Sequence, residues 1–268
     1  MNQAKVEIQL MAIDLDGTLL DREGNVSEAN GKAIYETARR GIEVVPVSAR
    51  PVFGMEYGLR AFDSLFRYVI AFNGAYVYDR AARRMLLDLH IEPEPLVEIL
   101  DLVKKFGLYA GYYVGDDFFA EVDGDSARME ARFLGRPPVM LPDLREVAGR
   151  GANKIIVLEL NDLDKLAAFY KEVTVQGLNM VFSSRNSIEI APGNATKGNG
   201  LRFLAERLSM PREAIMAIGD HYNDISMLEY AGFAVAMSDA PAEVQRTADF
   251  VTGSCEGCGV AEAIERFI

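Results

Sequence analysis

Leu10-Met11-Ala12-Ile13-Asp14-Leu15-Asp16-Gly17-Thr18-Leu19 is the stretch from which the fold of this chain can be read. Residues 8–13 are apolar but for Gln9, and two carboxylates follow at alternate positions, ahead of a glycine and a threonine. A short run of this kind reads as a parallel strand buried on both faces. Asp14 then falls at the carboxyl end of the strand, where open α/β sheets collect their ligands. Two carboxylates this close disfavour joint ionisation unless a cation offsets them. Donors that are all oxygen suit a hard ion such as Mg²⁺. A carboxylate held in such a place can also attack phosphorus and carry a phosphoryl group. The competing readings are a plain acidic turn and a calcium loop. A calcium loop needs Gly at its sixth position and Glu at its twelfth. Counted from Asp14 those positions hold Leu19 and Asn25, so the loop fails.

Three later stretches place polar groups after a predicted strand or at a helix start. Residues 42–47 form a β-branched run that ends in Ser48-Ala49-Arg50, and Pro51 suits the first turn of a new helix. A hydroxyl and backbone N–H groups at that point make an anion cradle. Thr196-Lys197-Gly198 opens a predicted helix that runs to Leu208. Residues 193–199 fail the phosphate-loop pattern at Asn199. Lysine at a helix start opposes the helix dipole, so Lys197 taken alone reads as a surface residue. The short apolar strand 214–218 ends in Gly219-Asp220-His221-Tyr222-Asn223-Asp224.

Asp14-Leu15-Asp16-Gly17-Thr18 resembles the first motif of the haloacid dehalogenase superfamily of phosphatases. Ser48-Ala49-Arg50 resembles the second, with Ala49 where that motif usually has Gly. Lys197 matches the third and Gly219-Asp220-x-x-Asn223-Asp224 the fourth, in family order. Asn73-Gly74-Ala75 and the helix from Ile225 are similar to the Cof-type branch. The resemblance implies hydrolysis of a small phosphate monoester, with sugar phosphates as the leading class. It implies Asp14 as nucleophile and Asp16 as general acid and base. Mg²⁺ is then held by Asp14, the Asp16 carbonyl and Asp220, with Asp224 as ligand or orienter. Ser48, the Ala49 N–H, Lys197 and Asn223 hold the phosphoryl oxygens. A phosphomutase, or a phosphatase committed to one sugar product, shares these motifs. A ligand-binding protein of the same fold without turnover is the reading from another class, and the presence of Asp14, Asp16 and Lys197 disfavours it.

Composition bounds these readings. At 268 residues, half of them hydrophobic, the chain has room for one large domain or two modest ones. A net charge of −12 argues against a nucleic-acid groove. No stretch is long enough to span a bilayer, and the first nine residues lack an apolar leader core, so the expected location is cytoplasmic. Cys255 and Cys258 form a C-x-x-C pair. Zinc would need two further ligands, and the histidines are only His90 and His221, so the pair reads as two reduced thiols. His221 sits within the fourth motif and invites an acid–base role without compelling one.

Between the second and third motifs the pattern changes. Pro93 and Pro95 punctuate the chain, and an α-β-β-α-β-α-β-β order follows up to about Pro192. The fold expected is a doubly wound parallel α/β core built from 1–89 and 192–268. An α+β cap at 90–191 resembles the large cap of Cof-type phosphatases and is expected to select the substrate. Within it Arg185, Asn153 and Glu189 are candidates for substrate contact, each against a plain hairpin or solvated role.

Overall fold

The computed structural model describes residues 7–268. The first strand, β1 (Leu10–Asp14), is sealed from solvent along its whole length. Ser27 caps helix α1 (Glu28–Arg39) by accepting from Asn30 N at 3.2 Å. Strand β2 (Glu43–Val47) precedes helix α2 (Val52–Leu59), which starts just after Pro51. Strands β3 (Tyr68–Ala71), β4 (Tyr76–Asp79) and β5 (Arg84–Asp88) follow. Helix α3 (Pro93–Phe106) ends on a left-handed Gly107. Then come β6 (Tyr109–Val114), β7 (Asp117–Ala120), α4 (Asp125–Leu134) and β8 (Val139–Met140). Strand β9 (Lys154–Leu158), helix α5 (Leu163–Glu172) and the hairpin β10 (Leu178–Ser184) and β11 (Ser187–Pro192) continue the chain. Helix α6 (Lys197–Arg207), β12 (Ile215–Gly219), α7 (Ile225–Tyr230) and β13 (Phe233–Ala236) follow. The last elements are α8 (Ala242–Thr247), β14 (Phe250–Val251) and α9 (Gly259–Phe267).

Two compact units result. Of the described residues, one comprises 7–49, 58–87 and 196–268; the other comprises 50–57 and 88–195. The first unit holds the eight-stranded sheet, in the order β14-β13-β12-β1-β2-β3-β4-β5. Strand β1 pairs in parallel with β2 on one side and with β12 on the other. The chain therefore winds outward from β1 through β2 and β3, then returns to the other side of β1 and winds outward again through β13 and β14. This is a doubly wound sheet with its reversal of strand order between β1 and β12, the place where such sheets bind ligands. Leu10, Ala12, Val45, Val47, Leu201, Ile215 and Ala217 form one continuous core on one face of it.

The second unit is built on a six-stranded sheet, ordered β10-β11-β9-β6-β7-β8 and antiparallel except between β7 and β8. Alternation along β6 explains its two faces. Ala110, Tyr112 and Val114 enter the large core shared with α3 and α5. Tyr109 and Tyr113 point to the opposite face, where each hydroxyl donates to the buried Glu130 of α4. The same face carries the buried pair Lys154 Nζ–Glu189 Oε1, 3.0 Å apart. The short β8, which follows Pro137 and Pro138, has no period in the sequence to announce it and is absent from the α-β-β-α-β-α-β-β order read there. No described helix is long and apolar enough to cross a membrane.

Candidate active site

Asp14 is the last residue of β1, and Gly219 the last of β12, its parallel neighbour. The sheet thus brings Asp14 beside the loop 219–224, more than 200 residues away in sequence. Lys197, the first residue of α6, is 1% exposed. Its ammonium donates to Asp14 Oδ1 and to Asp224 Oδ1, 2.5 Å in each case. The surface placement that helix-dipole reasoning alone gives for Lys197 is therefore wrong: two buried carboxylates outweigh the dipole. Gly198 lets α6 start this close to α7, because a Cβ there would lie 2.2 Å from the Ser226 carbonyl oxygen. The Ser226 hydroxyl accepts from Gly198 N at 3.0 Å and fixes the same turn.

Asp224 is fully buried, and its oxygens are met by N–H donors. Oδ1 accepts from Lys197, while Oδ2 accepts from the backbone N–H groups of Asp220 and His221, 2.9 Å each. Asp224 therefore organises both the lysine and the loop. Asp220, half-buried, accepts from the Thr18 hydroxyl through Oδ1 at 2.6 Å. Asn223 is exposed and donates to Asn73 Oδ1 at 3.0 Å. Asn73 belongs to a tight turn in which it and Phe72 both take left-handed backbone, φ 53° and 50°. Strained turns of this kind persist where surrounding structure holds them. Here Asn73 N donates to the Ser48 carbonyl oxygen at 3.0 Å.

Ser48 is buried just past the end of β2, with its N–H donated to Ile70 O at 2.9 Å. Ala49 follows it half-buried and is not among the residues with left-handed backbone, so the alanine meets no backbone obstacle there. Asp16 is exposed on the turn after β1. His221 is also exposed, its ring set edge-on against Tyr222 at 5.3 Å.

The charges explain one another. Burial pushes Asp14 well above the ordinary carboxylate range, and Asp224 and Asp220 push it further, while Lys197 opposes. Burial likewise raises Asp220, Asp224 adds to this, and the Thr18 hydrogen bond resists it. Burial alone would lower Lys197, but Asp14 and Asp224 outweigh it and hold the ammonium above its ordinary value. Oxygen atoms of Asp14, Asp220 and Asp224 lie within 4.8 Å of one another. Asp14 and Asp220 also meet in hydrogen-bonding contact. Carboxyls so placed need a shared proton or a cation between them. The donor set, all oxygen and partly buried, fits a hard divalent ion.

Asn153 is fully buried: its amide oxygen accepts from Gly115 N at 2.6 Å, and its amide nitrogen donates to Asp88 Oδ1 and Leu89 O. His90 also bonds Asp88, at 2.7 Å. Glu189 pairs with Lys154, and Arg185 is exposed at the β10–β11 turn. Cys255 is buried, and burial, helped by Glu256, Asp239, Asp21 and Asp220, pushes its thiol up to about 12. Cys258 Sγ lies 3.4 Å from Ser27 Oγ. Sequence reasoning gave Thr18 and Ser226 no role of their own, and took Asn73 only as part of a stretch similar to one in the Cof-type branch. Each acts through a partner distant in sequence, which no local spacing reveals.

Comparison with known proteins agrees with this geometry. A sequence profile of haloacid dehalogenase-like hydrolases matches residues 11–264. The 5-amino-6-(5-phospho-D-ribitylamino)uracil phosphatase YwtE of Bacillus subtilis is 30% identical over 288 residues, covering 97% of this chain and 98% of its own. The pyridoxal phosphate phosphatase YbhA of Escherichia coli is 29% identical over 274 residues, with 97% of each chain covered. A crystal structure of a haloacid dehalogenase-like hydrolase from Bacteroides thetaiotaomicron superposes with a TM-score of 0.90 at 28% identity. That match covers 98% of this chain and 100% of the other.

Proposed function

The chain belongs to the haloacid dehalogenase-like hydrolases of the Cof branch, a phosphatase. From that premise we propose that it hydrolyses small phosphate monoesters, sugar phosphates foremost, with Mg²⁺ and through an aspartyl phosphate on Asp14. The observation that carries the reading is Lys197 bound to Asp14 and Asp224 inside the sheet's switch point. A buried ammonium beside a carboxylate opposes the effect of burial on that carboxylate and leaves positive charge where a phosphoryl group would arrive.

The residues then take these roles. Asp14 attacks phosphorus in line. Asp16, exposed beside it in the turn, protonates the leaving alcohol and later takes the proton of the attacking water. Ser48, the Ala49 N–H, Lys197 and Asn223 hold the phosphoryl oxygens, Asn223 with its amide steadied by Asn73. Asp14, the Asp16 carbonyl and Asp220 hold the cation, and Asp224 serves as orienter, since N–H groups already occupy its oxygens. The cation neutralises charge on the phosphoryl oxygens and on the nucleophile. Residues 1–89 and 192–268 carry this chemistry, and 90–191 select the substrate.

A small phosphorylated metabolite is the substrate class. The YwtE relative acts on a phosphorylated ribityl compound and the YbhA relative on pyridoxal phosphate, both phosphate esters of small alcohols. That range supports the ester reading and gives sugar and sugar-alcohol phosphates the first place. Purified protein assayed against a panel of phosphate esters, with and without Mg²⁺, tests it. Hydrolysis of sugar phosphates only when Mg²⁺ is supplied is the expected result. Absence of turnover on every ester would refute it.

A further inference from the structure

We infer that Thr18 is the positioning residue for Asp220, setting how that carboxylate is turned toward Asp14 and a bound cation. The inference rests on the divalent-cation reading above and adds to it a residue whose work is separable from the ligands themselves.

The turn after β1 grips Asp220 from two sides. Thr18 is fully buried, and its hydroxyl donates to Asp220 Oδ1 at 2.6 Å, the short distance of a hydroxyl bonded to a carboxylate. Gly17 forms the other wall. Its φ is +92°, and a Cβ there would lie 2.6 Å from Asp220 Oδ2 and 3.1 Å from the carboxyl carbon. The second oxygen thus rests where only a glycine leaves room. Oδ1 is tied to a hydroxyl, Oδ2 lies against bare backbone, and the carboxyl is left in one rotational setting, in contact with Asp14.

The grip is itself fixed. Leu15 O accepts from the N–H groups of Thr18, Leu19 and Leu20, and Gly17 N donates to Leu20 O. Thr18 is also β-branched, which restricts its χ1. The backbone of Asp220 has another anchor, since its N–H donates to Asp224. That bond sets the main chain and leaves the side chain free to turn. The side chain itself is restrained by the bond from Thr18, which turns it toward its contact with Asp14. A space-filling role for Thr18 would be met equally by valine, which has the same shape and no donor.

Calorimetric titration of the full chain with Mg²⁺, without phosphate, separates the two roles. Thr18→Val should weaken Mg²⁺ binding about tenfold or more, the loss expected for a hydrogen bond to a charged group. Thr18→Ser, which keeps the hydroxyl, should stay within about threefold of the parent. Thr18→Ala repeats the test should valine disturb folding, and thermal melts report folding for each. Adding Thr18→Val to Asp220→Ala should cost nothing further, because the threonine acts only through that carboxylate. Valine binding Mg²⁺ like the parent, or additive losses in the double variant, would overturn the inference while leaving the cation reading intact. A parent chain that binds no divalent cation would instead bring down the cation reading, and this inference with it.

Discussion

Lys197 Nζ lies 2.5 Å from Asp14 Oδ1, across 183 residues of sequence, with both side chains shut away from solvent. The contact joins the first residue of α6 to the last of β1 and puts a buried ammonium on the proposed nucleophile. Lys197→Ala should depress turnover of all phosphate esters by a similar factor, about two to four powers of ten. It also leaves Asp14 and Asp224 buried without their partner, so stability should fall by about 3–5 kcal/mol. Steady-state kinetics on four or five esters, with a denaturation curve beside them, check both. A variant that reorders substrate preference without a common loss would contradict the assignment.

Metal removal gives the second expectation. Asp14, Asp220 and Asp224 crowd three carboxylates around one lysine. Excess chelator should abolish turnover and Mg²⁺ should restore it. Ca²⁺ should support it poorly, since its larger and looser coordination shell misplaces the reacting groups. Full activity in chelator would contradict the expectation.

Glu130 in the second unit predicts a dependence of stability on pH. Burial pushes its carboxyl up to about 7 from an ordinary 4.5, against the two tyrosine hydrogen bonds. The folded chain therefore keeps a proton that the unfolded chain releases. The stabilisation is complete below about 4.5 and lost as pH rises through about 7, an effect of about 3 kcal/mol. Glu130→Gln cannot titrate, so the stability difference between variant and parent should change by that amount over this window. Urea denaturation at several pH values measures it. A constant difference would contradict the assignment.

Asn153 and Arg185, both weighed as substrate contacts, should behave oppositely. Asn153 satisfies Gly115 N, Asp88 and Leu89 O from a fully buried position. Asn153→Ala removes all three bonds, leaving Asp88 with His90, and should cost about 2 kcal/mol of stability or more. Arg185 is exposed. Arg185→Ala should leave stability within about 0.5 kcal/mol and reorder preferences among esters, with a smaller effect on a minimal aryl phosphate. Chemical denaturation and relative kcat/KM values separate the two. Equal depression of every ester by Arg185→Ala would show that the residue does not choose among them.

The sequence disclosed the site's strands because their signals are local. Residues 10–14, 43–47 and 215–219 are short, largely apolar runs, with a polar residue at or just past the end of each: Asp14, Ser48 and Asp220. The helix caps at Ser27 and Thr196 are local as well: each side chain accepts from the backbone N–H three residues on. Burial of Lys197 was not legible from its own surroundings, since dipole and polarity both argue for the surface. It follows from β1 and β12 pairing in parallel, a relation between distant segments. The same holds for the Thr18–Asp220 bond and for Asn73 against Asn223. At 72–74 the Asn73-Gly74 pair reads as a turn, but the left-handed backbone of Phe72 does not show in the sequence, since it runs against the preference of a bulky residue.

The most direct test of the account is the identity of the residue that carries phosphorus. Asp16→Asn loses the group that activates water, yet an aryl phosphate with a good leaving group needs no proton to depart. Such a variant, mixed with that ester and quenched rapidly, should hold a phosphoryl group. Peptide mass spectrometry should place it on Asp14, and Asp14→Asn should abolish it. A phosphoryl group on Ser48 or His221, or hydrolysis by the parent with no phosphorylated peptide in parent or variant, would contradict the mechanism.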